Sequence, residues 1–363
     1  MSYKAVFKEK LSKMIFLEIN KEGFLEAISN GENIKLKNND LYLPIDVDYI
    51  SGNIKNQNKM NNIPIYKFVE GMLFALGCDE DFKYNDDYEK LLNKISESLN
   101  FGKKIIAEKI NENMYDDAFI LLKGLLKIKK EIEFYEKIFL IGEYIRKQDS
   151  NFSDQQKNVI DECKEYFPNY PMSYYYNGLI LRDEEETFKA FIEMNEYLNK
   201  GGEKTEEFIL VFNELKDSVE YEKGKELSEE DPKTALEKLL PLLENYGNNP
   251  MLFLHIAIAY RNLGNSEKAI YYLNESLSIE DAYVETINEL GLNYAMLEDF
   301  ENAIKYFRKA FEATRNIEIC TNLIMCYMHS NNLEEAKRHL EIANKIDPQD
   351  EIVIQLNSML ENK

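Results

Sequence analysis

Two stretches of this chain share a spacing while sharing few letters, and that spacing is the tightest constraint on its fold. In HIAIAYRNLGNSEKAIYYLNESL (255–277) and ELGLNYAMLEDFENAIKYFRKAF (289–311), Ala269 and Ala303 lie 34 residues apart. In the same register Tyr260 matches Tyr294, Ile256 matches Leu290, Ala257 matches Gly291, and Leu273 matches Phe307. A third copy, NLIMCYMHSNNLEEAKRHLEIAN, follows after 33 residues, with Tyr327, Ala336, Leu340 and Ala343 in the same places. The missing residue falls between Ala310 and Cys320, in a connection, where a deletion is tolerated.

Each copy reads as two helices. Ile287, Leu290, Gly291 and Tyr294 recur at i, i+3, i+4 and i+7, one face of a helix. Ala303, Phe307 and Ala310 do the same in the second helix. Small residues stand where two helices come close, and aromatic residues fill the space beside them. Four residues before each alanine is a good N-cap: Asp231, Asn265, Asp299 and Asn332. Asn332 with Glu335 has the form of a capping box, and Pro232 occupies a first helical position. Apolar pattern and capping column agree on one register.

One helical hairpin cannot bury its own apolar face, whereas stacked hairpins bury each other's. The spacing resembles the tetratricopeptide repeat, a 34-residue helix–turn–helix. The matching residues are Ile287, Leu290, Gly291, Tyr294, Ala303, Phe307 and Ala310 in the middle copy. They are Phe253, Ile256, Ala257, Tyr260, Ala269, Leu273 and Ser276 in the first, and Cys320, Leu323, Ile324, Tyr327, Ala336, Leu340, Ala343 and Pro348 in the third. The chain departs from the family pattern in having no Trp, Ile324 in place of Gly, and Asp281 and Arg315 at the proline position. The resemblance implies an all-α fold, a right-handed α-α superhelix, with three repeats over 249–348. The segment 349–363 then reads as a closing helix, with Ile352, Leu356 and Met359 on one face.

Upstream the pattern frays. Ala235 lies 34 before Ala269, but Pro241 interrupts its helix and VEYEKGKEL shows almost no apolar face. Gly178 and Ala190 are twelve apart, as are Gly291 and Ala303, and an insertion around KGGEKTEEF follows. MYDDAFILLKGLL and FYEKIFLIGEYIRK read as further helices, so 101–248 is taken as degenerate hairpins. Of Tyr174, Tyr175 and Tyr176, helical spacing allows only one or two to be core. Residues 1–100 read as a small, mostly helical module of no recognised family. There Ile34, Leu36, Leu41 and Leu43 alternate around KNND as in a short β-hairpin, NKMNN marks a loop, and IPIYKFVEGMLFALG is a helix.

The net charge of −22 disfavours nucleic acid and anionic membrane as partners and favours basic proteins or peptides. Four scattered cysteines without a CxxC, and no signal-peptide core at the N-terminus, point to a reducing, cytoplasmic setting. The Lys-, Asn- and Ile-rich composition suits a bacterial source.

No glycine-rich phosphate loop, HExxH or GxSxG occurs, and no cofactor is expected. Asp46-x-Asp48 reads as a turn and helix cap rather than a metal–nucleotide site. Cys320, Cys326, His329 and His339 match no zinc spacing. What remains is the inner surface that first helices line in tetratricopeptide proteins. The resemblance places Leu254, His255, Ile258 and Arg261 there from the first copy, and Asn288, Glu289, Leu292 and Met296 from the second. The third gives Thr321, Asn322, Met325 and His329. Asparagine amides both donate to and accept from a peptide backbone, and methionines adapt to varied side chains. The basic ring by which some family members hold chaperone C-termini is missing, since Glu318 and Asn322 stand where Lys and Arg are needed. The expectation is a non-enzymatic scaffold for a protein or peptide. Two rivals are a peptide-sensing regulator with an N-terminal effector module, and an enzyme whose site uses Asp46, Asp48, Asp79 and Asp81 of that module.

Overall fold

The computed structural model describes residues 2–28, 34–53 and 63–361. The expected NKMNN loop lies outside them. The fold is all-α apart from one two-stranded antiparallel sheet, and the chain divides into two compact units, Met1–Ile209 and Leu210–Lys363.

The first unit opens with helix α1 (Tyr3–Ser12), strand β1 (Ile15–Ile19), helix α2 (Lys21–Ile28), strand β2 (Leu41–Ile45) and helix α3 (Val47–Asn53). Leu41 and Leu43 do form a strand, but not against Ile34 and Leu36. They pair with β1, Leu41 opposite Ile19 and Leu43 opposite Leu17. The reason is visible in the KNND turn. The buried carboxylate of Asp87 accepts the backbone N–H groups of Lys37 at 2.6 Å and Asn38 at 3.0 Å, so this segment is held to a helix rather than to a strand.

Helices α4 (Ile65–Cys78), α5 (Asn85–Lys94), α6 (Ser98–Asn111) and α7 (Tyr115–Ile128) follow. α4 is apolar nearly all round and accordingly central, with Val69, Met72, Leu73, Ala75 and Leu76 fully enclosed. It meets α7 at backbone distance. A Cβ on Gly77 would lie 1.8 Å from the Ile120 carbonyl oxygen, and one on Gly124 would lie 2.0 Å from that of Leu73. Helices α8 (Ile132–Gln148), α9 (Ser153–Tyr166), α10 (Pro171–Asp183) and α11 (Thr187–Asn199) complete the unit. Arg146 ties three of them together. Its Nη2 reaches Glu143 Oε2 at 2.7 Å, its Nε donates to Gln156 at 3.1 Å, and its Nη1 pairs with Asp183. Of the tyrosine run, Tyr176 is core, Tyr175 packs on Tyr197 and Phe208, and the Tyr174 hydroxyl donates to the Pro168 carbonyl.

Most of α12 (Glu206–Glu230) belongs to the second unit. The KGGEKTEEF insertion contributes its first turn, and the apolar face that VEYEKGKEL largely lacks lies mostly upstream, in Phe208, Val211 and Leu215, and enters it at Val219. At Pro241 the next helix, α13 (Pro232–Leu239), gives way to a 3₁₀ turn, Leu240–Leu242, and to the short α14 (Leu243–Tyr246). Three hairpins follow: α15 (Pro250–Asn262) with α16 (Ser266–Ile279), α17 (Val284–Met296) with α18 (Phe300–Thr314), and α19 (Ile317–His329) with α20 (Leu333–Ile346).

The expected caps are formed. Asp231, Asn265, Asp299 and Asn332 accept from the N–H groups of Thr234, Lys268, Asn302 and Glu335 at 3.1–3.3 Å. The turn before each cap in the three hairpins has a feature that no residue type reveals. Gly264, Glu298 and Asn331 are all left-handed, with φ of 75°, 61° and 60°. The next N–H then reaches back to the carbonyl of Tyr260, Tyr294 or Tyr327 at 2.8–2.9 Å, a 6→1 closure of the first helix. The same joint recurs at Asn113 and Glu185, so α6–α7 and α10–α11 are hairpins of the same build.

In two hairpins a glycine faces a large side chain across a sixteen-residue offset, although in the third copy Ile324 and Leu340 hold these places and both are buried. Gly291 faces Phe307, whose ring carbons would be 2.7 Å from an added Cβ, and Gly178 faces Met194 at 2.8 Å. In the first hairpin Ala257 and Leu273 hold these positions, both fully buried. The deleted residue of the third copy is also explained. Residues 280–283 connect α16 to α17, whereas only residues 315 and 316 connect α18 to α19. Arg315 turns with φ of 52°, a conformation the family's proline could not take. The last helix, α21 (Glu351–Glu361), buries Val353, Leu356 and Leu360. Leu356 is where the sequence puts it, but Ile352 and Met359 face outward. The docked face follows the reciprocal amide pair Asn344–Asn357, at 2.9 and 3.0 Å, which sets the rotation of the helix.

Candidate functional site

The first helices of the three hairpins, α15, α17 and α19, carry all twelve candidate residues, and the structure sorts them into groups. Asn288, Leu292 and Asn322 come together around a pocket of about 300 Å3 between α17 and α19. Glu285, Asn316 and Glu318 complete its polar rim, and no basic residue lines it. Glu285 and Asn316 were missed because one stands in a first helical turn and the other in the connection, whereas Glu318 was noted only for not being basic. The two-residue connection that brings Asn316 into the rim is the signal that could have found it.

Asn288 Oδ1 is shielded from solvent and has no hydrogen-bond partner among the described residues. A buried carbonyl left in that state is costly, and a rotation of the amide that let it meet an N–H donor would recover a full hydrogen bond. Asn322 stands across the pocket, half-buried, with no side-chain hydrogen bond among the described residues. Two amides thus face a space edged by two carboxylates.

A second group joins the first two hairpins. Arg261 Nε donates to Glu289 Oε2 at 2.8 Å, with both side chains largely covered. Burial pushes the Glu289 carboxyl above the usual carboxylate range, against the pull of Arg261. His255 lies beside the Tyr221 ring at 5.9 Å between centroids, and neither ring nitrogen has a partner among the described residues. Burial therefore holds its pKa down, and the imidazole is neutral at pH 7.

The other candidates are dispersed. Leu254 and Thr321 are buried, Leu254 among Ala257, Ala269, Leu273 and Leu290, and neither offers a side chain to a ligand. Each lies one residue from a less buried candidate, Leu254 beside His255 and Thr321 beside Asn322, and one step around the helix puts it on the edge that packs. Ile258 is half-buried against that same cluster. Met296 is exposed and receives the Ser266 hydroxyl at 3.9 Å, Met325 is exposed, and His329 stacks on Phe300 at 5.0 Å.

The residues weighed for metal chemistry have local roles. Cys320 and Cys326 are buried, and His339 Nδ1 contacts the Glu335 carbonyl at 2.9 Å. Asp46 caps α3 by accepting the Asp48 N–H at 2.7 Å, and Asp79 pairs with Lys8 at 3.0 Å. Among the described residues no three His, Cys, Asp or Glu side chains converge as metal ligands. No helix among them is long and apolar enough to cross a membrane.

Two family models, each described as tetratricopeptide repeat, match residues 252–283 and 294–359. No curated protein matches the chain. Among solved structures, the MamA protein is similar at 16% identity over 48% of this chain and 90% of its own, with a TM-score of 0.37. YrrB, titled a TPR protein with an unusual peptide-binding site, is similar at 17% identity over 55% and 97%, with a TM-score of 0.39. TTC0263 of Thermus thermophilus, titled a thermophilic TPR protein, is similar at 18% identity over 53% and 98%, with a TM-score of 0.31.

Proposed function

We propose that this chain, a tetratricopeptide-repeat protein across residues 252–359, is a non-enzymatic scaffold that holds a basic peptide segment against α17 and α19. Arrays of this family are protein-interaction scaffolds, and the finer assignment rests on one observation. Asn288, whose Oδ1 is buried without a hydrogen-bond partner among the described residues, lines a pocket that Asn322 shares and that Glu285 and Glu318 edge. Paired amides read a peptide backbone, because each supplies both a donor and an acceptor. Carboxylates without a nearby lysine or arginine select cationic side chains, which agrees with the net charge of −22.

The test is a peptide array scored with the full-length protein and two double variants. Asn288→Ala with Asn322→Ala should lose binding to the selected peptides while the circular dichroism stays unchanged. Glu285→Gln with Glu318→Gln should bind more weakly and lose most of its salt dependence. Full affinity in the asparagine double variant would show that the peptide lies elsewhere.

A further inference from the structure

The first unit contains a pocket of about 290 Å3 where α1, α7 and α9 meet. Its charge runs against that of the chain. Lys4, Lys123 and Lys127 line it, against two carboxylates, Glu80 and Glu162. Both carboxylates are already engaged. Glu162 accepts the Tyr135 hydroxyl at 2.7 Å and faces Lys130 Nζ at 2.8 Å, while Glu80 faces Lys127 Nζ at 3.3 Å.

Lys123 is the anomaly. It is half-buried, and among the described residues its ammonium has no hydrogen bond and no ion pair. Glu80 and Glu162 attract it only through space, without direct contact, and the Phe7 ring, with its centroid 5.9 Å from Nζ, is a weak partner for a desolvated charge. Lys4 and the amides of Gln155 and Asn158 line the same pocket, and they too make no side-chain hydrogen bond among the described residues. Donors in excess of acceptors, converging on an open space, describe half of a site.

We propose that Lys123, with Lys4, Lys127 and the amides of Gln155 and Asn158, binds a small free dianion bearing a phosphate or paired carboxylates. The dianion would supply the acceptors that the pocket lacks, and the volume suits a molecule of metabolite size rather than a polymer. Burial holds the Lys123 pKa below the usual lysine range, and an anion would restore it. This inference is independent of the peptide groove.

The experiment uses the full-length protein at constant ionic strength, with chloride as the balancing anion. Inorganic phosphate and succinate are titrated separately by calorimetry. At least one should saturate, and which one does assigns the class. Lys123→Met should weaken that binding by about tenfold or more, the loss of a charge-assisted hydrogen bond. Lys4→Gln, on an exposed position of α1 and safe for folding, should weaken it about threefold through lost charge attraction. Lys104→Gln, an exposed lysine on α6 outside the pocket, should bind as the wild type does. Should Lys123→Met fail to fold, Lys4→Gln decides the question alone. Absence of saturation by either dianion, or wild-type affinity in the pocket variants, overturns the proposal.

Discussion

Size matching across the hairpin can be tested by exchanging one hairpin's pair for another's. Gly291→Ala places a methyl group 2.7 Å from carbons of the Phe307 ring, where contact normally begins near about 3.5–4.0 Å. The ring is fully buried and cannot swing outward. Overpacking of this kind costs about 1–3 kcal/mol, and the better helix propensity of alanine returns about 0.5–1 kcal/mol. The net loss is about 0.5–2 kcal/mol. Phe307→Leu alone leaves a void beside the glycine and costs about 1–2 kcal/mol. The double variant recreates the Ala257–Leu273 pair of the first hairpin, in which the methyl fills the space the ring vacates. It should lose less than the sum of the single variants, with a coupling of about 1 kcal/mol or more. Urea titration with hydrogen exchange at α17 and α18 amides is the suitable assay, because two units need not unfold together. Additivity within about 0.5 kcal/mol would refute the reasoning, and so would a Gly291→Ala chain more stable than the wild type.

Two further outcomes follow from buried charge. Arg146→Met leaves the largely buried Glu143 carboxylate only the longer contacts to Lys147 and Gln156, both at 3.5 Å, so the first unit should lose about 2–4 kcal/mol in denaturant titration. His255 has a pKa below its unfolded value of 6.5, so its stabilising contribution is complete above that pH and is lost as the pH falls below it. His255→Phe should therefore melt at a higher temperature than the wild type at pH 5.5, and the gap between the two should narrow at pH 7.5.

The repeat was legible in the letters because packing dictates them: Ala269, Ala303 and Ala336 are all fully buried at the tightest crossing. Caps were legible because few side chains can accept an N–H at Asp299 or Asn332. The partner of β2 was not, since Asp87, about fifty residues away, draws the KNND turn aside. The rotation of α21 was hidden for a similar reason, as Ile352 and Val353 are equally apolar and only the amide pair with Asn344 chooses between them. For the site, the asparagines were found by register, whereas Leu254 and Thr321 sat one step around the helix into the core. Of the upstream hairpins, the one at Gly178 and Ala190 was legible by the same twelve-residue spacing, whereas the joint at Asn113 is held by backbone geometry that the apolar pattern does not encode.

That joint has a consequence for how such a chain can change. Glycine, glutamate and asparagine all serve at its centre, so the corner is set by the main chain, although its positive φ disfavours β-branched residues and excludes proline. The corner lies inside each hairpin, between its two helices, so it holds their angle while the links between hairpins differ, four residues at 280–283 and two at 315–316. Each hairpin thereby keeps its own internal geometry, while its link to the next and the surface it presents are free to diverge.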